Sequence, residues 1–144
     1  VTDANGARGL LWASQVAPGN ENNLRIRVYG TKGGLEWKQE HPNQLHWSPF
    51  GQPTQVIARA TGAANAAAAR VSRIPAGHPE GYLEGFATLY SEIAQAIRAA
   101  RKGGPKADKA AHFPSLEDGI KGVAFIEAVV ASSKRGGRWT KLSA

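Results

Sequence analysis

The chain contains no cysteine and no methionine. Without cysteine there is no disulfide framework, no thiol nucleophile and no thiolate metal site, a composition that fits a cytoplasmic protein. An initiator methionine can be trimmed before a small residue such as Val1, yet the complete lack of Met points to a piece of a longer protein. Long apolar runs are missing too: none approaches the roughly 18–20 residues that cross a bilayer, so no membrane partner is expected. The opening residues, Val1-Thr2-Asp3-Ala4-Asn5-Gly6, are polar and lack the apolar centre of a signal peptide. Glycine pairs occur at Gly33-Gly34, Gly103-Gly104 and Gly136-Gly137, none between a β-rich run and a helix start. The chain therefore has no dinucleotide-binding fingerprint and no phosphate-binding loop.

What is present reads as ordinary globular sequence. The 144 residues, 42% hydrophobic and 20% charged, are expected to form a single domain (1–144) long enough to bury a core. The net charge of +7 is spread along the chain rather than gathered into a stripe. Arg98, Arg101, Lys102, Lys106 and Lys109 stand near the end of one predicted helix, and Lys134, Arg135, Arg138 and Lys141 near the end of another. Cations are favoured there by the helix dipole. Aromatic residues do not interleave with these charges as a base-stacking surface requires, so no nucleic-acid partner is expected.

Residues 24–37, LRIRVYGTKGGLEW, carry the clearest local signal. Leu24, Ile26 and Val28 alternate with Arg25, Arg27 and Tyr29, the period-2 pattern of a sheet with one face in the core. The Gly-Thr-Lys-Gly-Gly break reads as a tight turn, and Leu35-Glu36-Trp37 resumes the alternation. Further strands are predicted at 9–16, 44–48 (Leu45 and Trp47 on one face, His46 on the other) and 55–59, with short connections that imply an antiparallel meander. The alanine run at 63–69 predicts one or two helical turns. A long helix is predicted at 79–102, with Pro79 in its first turn and Glu80 favoured by its positive end. Its apolar stripe runs through Tyr82, Phe86, Leu89, Ile93 and Ile97, and Gly103-Gly104-Pro105 stops it. A second is predicted at 115–135, with Ser115 as N-cap and Asp118 in the acidic position of a capping box. Residues 138–142 are expected to be extended, as an edge strand. Strands first and helices last predict an α+β fold: a predominantly antiparallel open β-sheet with two long C-terminal helices packed on one face.

Three segments in this order carry a resemblance: VYGTKGGLEW, then IPAGHPEGYLEGFATLY at 74–90, then FPSLEDGIKGVAFIEAVVASSKRGGRWTKL at 113–142. Together they resemble the C-terminal domain of the glucose-fructose oxidoreductase and inositol dehydrogenase (Gfo/Idh/MocA) family, over roughly residues 9–142. The resemblance implies the substrate-side and oligomerisation domain of an NAD(P)-dependent oxidoreductase that acts on a sugar, inositol or related polyol. NAD or NADP would be bound by an N-terminal Rossmann domain absent from this chain, and none is expected on the chain itself. The family's Glu-Lys-Pro lysine and its Gly-Gly…Asp…His pair have no counterpart here, so no catalytic residue can be placed. A homo-oligomer through the sheet face is the family expectation.

Among the remaining residues His78, in Gly77-His78-Pro79, is the best substrate-binding candidate: its imidazole can hydrogen-bond a sugar hydroxyl. Capping the following helix or packing in the loop would also account for it. The stretch Asn20-Glu21-Asn22-Asn23 can contact a polyol or simply bond its own backbone as a turn. Glu117-Asp118 and Glu80/Glu84 can be read as paired carboxylates, but helix N-terminal acids explain the first pair and solvated helix spacing the second. Trp12, Trp37, Trp47 and Trp139 fall on or beside predicted strands, with Trp37 and Trp47 as a patch or as core. His41, His46 and His112 are expected at the surface, and the four histidines lack metal-ligand spacing. Two rivals from other classes remain: a stand-alone dimerising or ligand-binding module, and a basic nucleic-acid-binding domain that a salt titration would expose.

Overall fold

The predicted hairpin forms with a two-residue loop. In the computed structural model, which describes residues 1–2, 5–101, 103–104 and 111–143, β1 (Arg25–Gly30) pairs antiparallel with β2 (Gly33–Lys38), Gly30 opposite Gly33. Gly33 has φ 152°, and a Cβ there would meet the Trp47 ring at 2.7 Å and collide with the Ser48 carbonyl. That close approach requires glycine. β3 (Gln44–Pro49) and β4 (Gln55–Ala58) complete a four-stranded antiparallel meander in the order β1-β2-β3-β4.

The register sorts the side chains into two faces. Ile26, Trp37, Leu45 and Ile57 lie in one cross-strand row, and Val28, Leu35 and Trp47 in another on the same face. The opposite face carries Arg27, Glu36, His46 and Val56. There the Arg25 guanidinium donates to Glu36, and this bond, with the neighbouring positive charge, holds the Glu36 carboxyl below its ordinary range. The sheet and the short helix α1 (Ala66–Val71, capped by the Asn65 side chain) belong to one unit, Val1–Gly81.

The second unit, Tyr82–Ala144, holds α2 (Tyr82–Ala100) and α3 (Leu116–Lys134). The α3 start is the predicted capping box: the Ser115 hydroxyl accepts from the Asp118 backbone N–H at 3.2 Å, and the Asp118 carboxylate accepts from the Ser115 backbone N–H at 2.9 Å. Arg98 and Lys134 lie in the last turns of α2 and α3 as the dipole argument requires. Lys102, Lys106, Lys109 and Pro105 lie outside the described residues. The chain is thus α+β, with an antiparallel sheet and two long helices.

Four local expectations need correction. Residues 9–16 form no strand. Leu10, Leu11 and Trp12 are consecutive rather than alternating, and the flanking backbone bonds locally instead, Gly9 with Val1 and the Val16 N–H to the Ser14 hydroxyl. Trp12 therefore stands exposed on no strand, as does Trp139. Residues 138–142 are likewise not a strand; the Arg138 carbonyl accepts from the Ser132 hydroxyl, which folds this segment back onto the end of α3. Finally, α2 begins at Tyr82, so Pro79 and Glu80 precede the helix.

The expected core is also thinner than the composition suggests. No large side chain among the described residues is fully buried. The best-buried residues are Ala124 and two carboxylates, Glu80 and Glu92. The α2 stripe forms as expected, with the Tyr82 and Phe86 rings 4.9 Å apart and Phe86 and Tyr90 at 6.4 Å, but it remains largely exposed.

Candidate functional site

The loop that carries His78 is densely hydrogen-bonded. Residues 75–78 form a turn closed by the His78 N–H donating to the Pro75 carbonyl at 3.3 Å. Gly77 occupies the third position with φ 83°, which glycine adopts without the penalty a Cβ would bring.

Arg59 holds this turn from beneath. It follows β4 directly, and its own N–H donates to the Asn43 carbonyl at 2.9 Å, continuing the β3–β4 pairing by one step. Its guanidinium then reaches four acceptors: the Asn43 side-chain oxygen (2.7 Å) and the carbonyls of Ile74 (2.6 Å), Pro75 (3.3 Å) and His78 (2.8 Å). It also pairs with the Glu80 carboxylate at 2.6 Å. Glu80 accepts the Arg73 and Ile74 backbone N–H groups at 2.8 and 3.1 Å, and its own N–H donates to the Asn43 side-chain oxygen at 3.2 Å. The two charged side chains keep only 15% and 6% of their surface exposed. Burying such a pair is costly unless its remaining donors and acceptors are satisfied, and here the surrounding backbone satisfies them.

This overturns the reading of Glu80 as a solvated helix acid. Glu80 turns inward because a buried guanidinium and two backbone N–H groups converge on it. The sequence pattern missed Arg59 and Asn43 entirely. The faint signal was their position at the ends of adjacent predicted strands, next to a loop that holds an acid.

The turn leaves the His78 side chain exposed, with Nδ1 3.4 Å from the Ala76 carbonyl, too long for a firm bond. The backbone of His78 is fixed, while its exposed imidazole makes only this long contact. The same loop borders an open groove of about 390 Å³ lined in part by Ala60, Thr61, Ser72, Arg73, Ile74 and Ala76.

The other candidates resolve structurally. The Asn20–Asn23 stretch bonds to itself and to the chain beyond β2: Asn23 donates to the Asn20 side chain at 2.6 Å, Asn22 to Gln39 at 2.7 Å, and the Asn23 N–H to Glu40 at 3.0 Å. Glu117 and Asp118 stand in the first turn of α3. Trp37 and Trp47 share one half-buried sheet face, and the Trp37 indole donates to the Pro42 carbonyl at 3.1 Å. His41 and His112 are exposed and His46 is half-buried on β3. No group of three potential metal ligands occurs among the described residues.

These residues do not fit a dinucleotide either. Gly33-Gly34 closes a hairpin, and Gly103-Gly104 and Gly136-Gly137 follow helix C-termini, where the dipole repels phosphate. The N-termini of the two long helices carry Glu84 and the Glu117-Asp118 pair, which would oppose an anion.

Residues 4–142 match the model of the oxidoreductase family, C-terminal alpha/beta domain. A solved oxidoreductase from Sinorhizobium meliloti is 57% identical with TM-score 0.87, over 94% of this chain and 37% of its own. An inositol dehydrogenase homologue from Azotobacter vinelandii, solved with NADH and myo-inositol, is 40% identical with TM-score 0.89, over 95% of this chain and 36% of its own. The uncharacterized oxidoreductase YfiI of Bacillus subtilis (strain 168) is 31% identical over 137 residues, which are 95% of this chain. The chain spans 35% of that relative's length. No helix among the described residues is long and apolar enough to cross a membrane.

Proposed function

The chain belongs to the Gfo/Idh/MocA oxidoreductase family, as its C-terminal alpha/beta domain, and from that premise we propose that it forms the substrate-side wall of an NAD(P)-dependent dehydrogenase of a sugar, inositol or related polyol. The observation that carries this reading is the likeness, over nearly the whole chain, to a homologue solved with NADH and myo-inositol. The reaction class is hydride transfer between nicotinamide and a carbon bearing a hydroxyl. On this reading the cofactor and the base belong to a Rossmann domain N-terminal to these residues, and the chain by itself does not turn over.

The contribution of residues 1–144 is then positional. His78 hydrogen-bonds a polyol hydroxyl and helps align the reacting carbon, and alignment is a large part of such catalysis. The sheet serves as a homo-oligomer interface. Two facts support that role: β1 is an edge strand whose six residues are all exposed, and the β2–β3 face presents Trp37 and Trp47. A cytoplasmic setting accords with the cysteine-free composition.

The test is turnover by the full-length enzyme. A panel of sugars and inositols is offered with NAD and with NADP, and reduction of the nicotinamide is followed by absorbance. His78→Ala is expected to raise the polyol KM about 2- to 10-fold, the worth of one hydrogen bond, with the cofactor KM unchanged. Absence of turnover with every polyol would overturn the activity. An unchanged polyol KM in His78→Ala would remove His78 from the site.

A further inference from the structure

We propose that Arg59, Glu80 and Asn43 are positioning residues for His78: the three side chains, with Glu80 buried and the other two half-buried, form a clamp that sets where the imidazole meets substrate. This rests on the reading of His78 as a polyol contact.

The argument begins with what the clamp touches. One guanidinium spans the carbonyls of Ile74, Pro75 and His78, so it fixes both ends of the turn and the residue that bears the imidazole. Glu80 bonds the backbone N–H groups of Arg73 and Ile74 on the way into the turn. The Asn43 side-chain oxygen accepts from both Arg59 and Glu80, which ties the pair to the start of β3. The loop is thereby bolted to the sheet at its entry, its turn and its exit.

Stability gives a weak reason for such a device. A buried ion pair seldom outperforms packed apolar groups of the same size, because desolvation offsets its attraction. Here a largely buried ion pair and a half-buried amide sit under one turn instead. What an Arg fork supplies that a leucine cannot is direction: planar donors hold several acceptors at fixed angles. A ligand contact displaced by about 1 Å can cost two orders of magnitude in rate, so a rigid base for an exposed imidazole has functional value.

The experiment uses the full-length enzyme and its best polyol, with Arg59→Lys, Glu80→Gln, His78→Ala and the Arg59→Lys/His78→Ala double variant. Lysine keeps the charge opposite Glu80 but not the fork. Arg59→Lys is expected to raise the polyol KM about 3- to 10-fold, a few lost or bent hydrogen bonds, while the nicotinamide KM holds. The double variant is expected to be no worse than His78→Ala alone, since the clamp acts through that side chain. Glu80→Gln is expected to move the polyol KM the same way, and it decides the matter where Arg59→Lys fails to fold.

Additive effects in the double variant, or a shift in melting temperature with no change in polyol KM, would overturn the clamp as a positioning device and leave His78 as the contact. A polyol KM untouched by His78→Ala overturns the His78 reading itself, and the clamp's role with it.

Discussion

Within Val1–Gly81 the most deeply buried side-chain atoms are polar, and every partner of the Arg59–Glu80 pair lies in the same unit. Within Tyr82–Ala144 α3 opens on a capping box, yet Tyr82, Phe86, Tyr90 and Ile97 stay exposed along α2. The first region is specified by directional bonds whose donors and acceptors are all present. The second is specified by a hydrophobic stripe, which has no direction and counts only when something covers it. The difference teaches where substitutions should be felt. Changes in the clamp act on the geometry of one turn, whereas changes in the stripe are felt only where something covers it.

The sharpest way to break this comparison is Glu80→Ala. It leaves Arg59, whose side chain is 15% exposed, without its counter-charge. Such a loss costs about 3–5 kcal/mol, read as a lower urea midpoint for the full-length enzyme. A change below about 0.5 kcal/mol, the ordinary size for a surface substitution, would show that the pair is not buried in solution. Next comes Phe86→Ser in the stripe. Phe86 is 45% exposed here, and if the rest of the enzyme covers it the substitution costs about 1–3 kcal/mol by the same assay. A negligible effect would mean the stripe faces water in the full enzyme too. Smaller again is Ser115→Ala, which removes the α3 cap and is expected to cost about 1 kcal/mol.

How much of this was legible in the sequence follows the same division. Signals that repeat within a few residues were readable: the alternation over 25–29, the Ser115–Asp118 box, and the 3–4 spacing of Tyr82, Phe86, Leu89, Ile93 and Ile97. The meander order followed from short connections. Residues 9–16 misled because composition resembled a strand while Leu10-Leu11-Trp12 lacked the alternation that defines a face. The clamp was invisible because Asn43, Arg59 and Glu80 are separated by 16 and 21 positions: the β3–β4 register joins the first two, and the segment after α1 carries Glu80 back to them. Glu80 was misassigned because local helix rules place an acid after proline at a helix start, and a tertiary guanidinium overrode them. His78 was legible as a candidate from its motif; its rigid support was not.

The subtlest effect compares two acids, one in each region, whose carboxyls are both held below their ordinary values. Asp118 owes this first to the Ser115 backbone N–H and then to the Ser115 hydroxyl. Glu36 owes it to the Arg25 guanidinium, through a hydrogen bond and its charge. The sign is the same for both. A group with a depressed folded value binds its proton less readily when folded, so it contributes stability above its unfolded value, near 3.8 for Asp118 and 4.5 for Glu36. That contribution is lost as the pH falls through the folded value. Asp118→Asn and Glu36→Gln should each flatten the acid limb of the stability curve, measured by thermal melts of the full-length enzyme across the acid range. Salt separates them. Screening weakens the ion pair of Glu36, so the effect of Glu36→Gln should shrink as salt is raised. The bond from the Ser115 N–H to Asp118 lies within one helical turn, and the effect of Asp118→Asn should persist. Equal salt sensitivity in the two variants would mean that the capping box is held by charge rather than by its local hydrogen bonds, and the distinction drawn between the two regions would fail at its smallest scale.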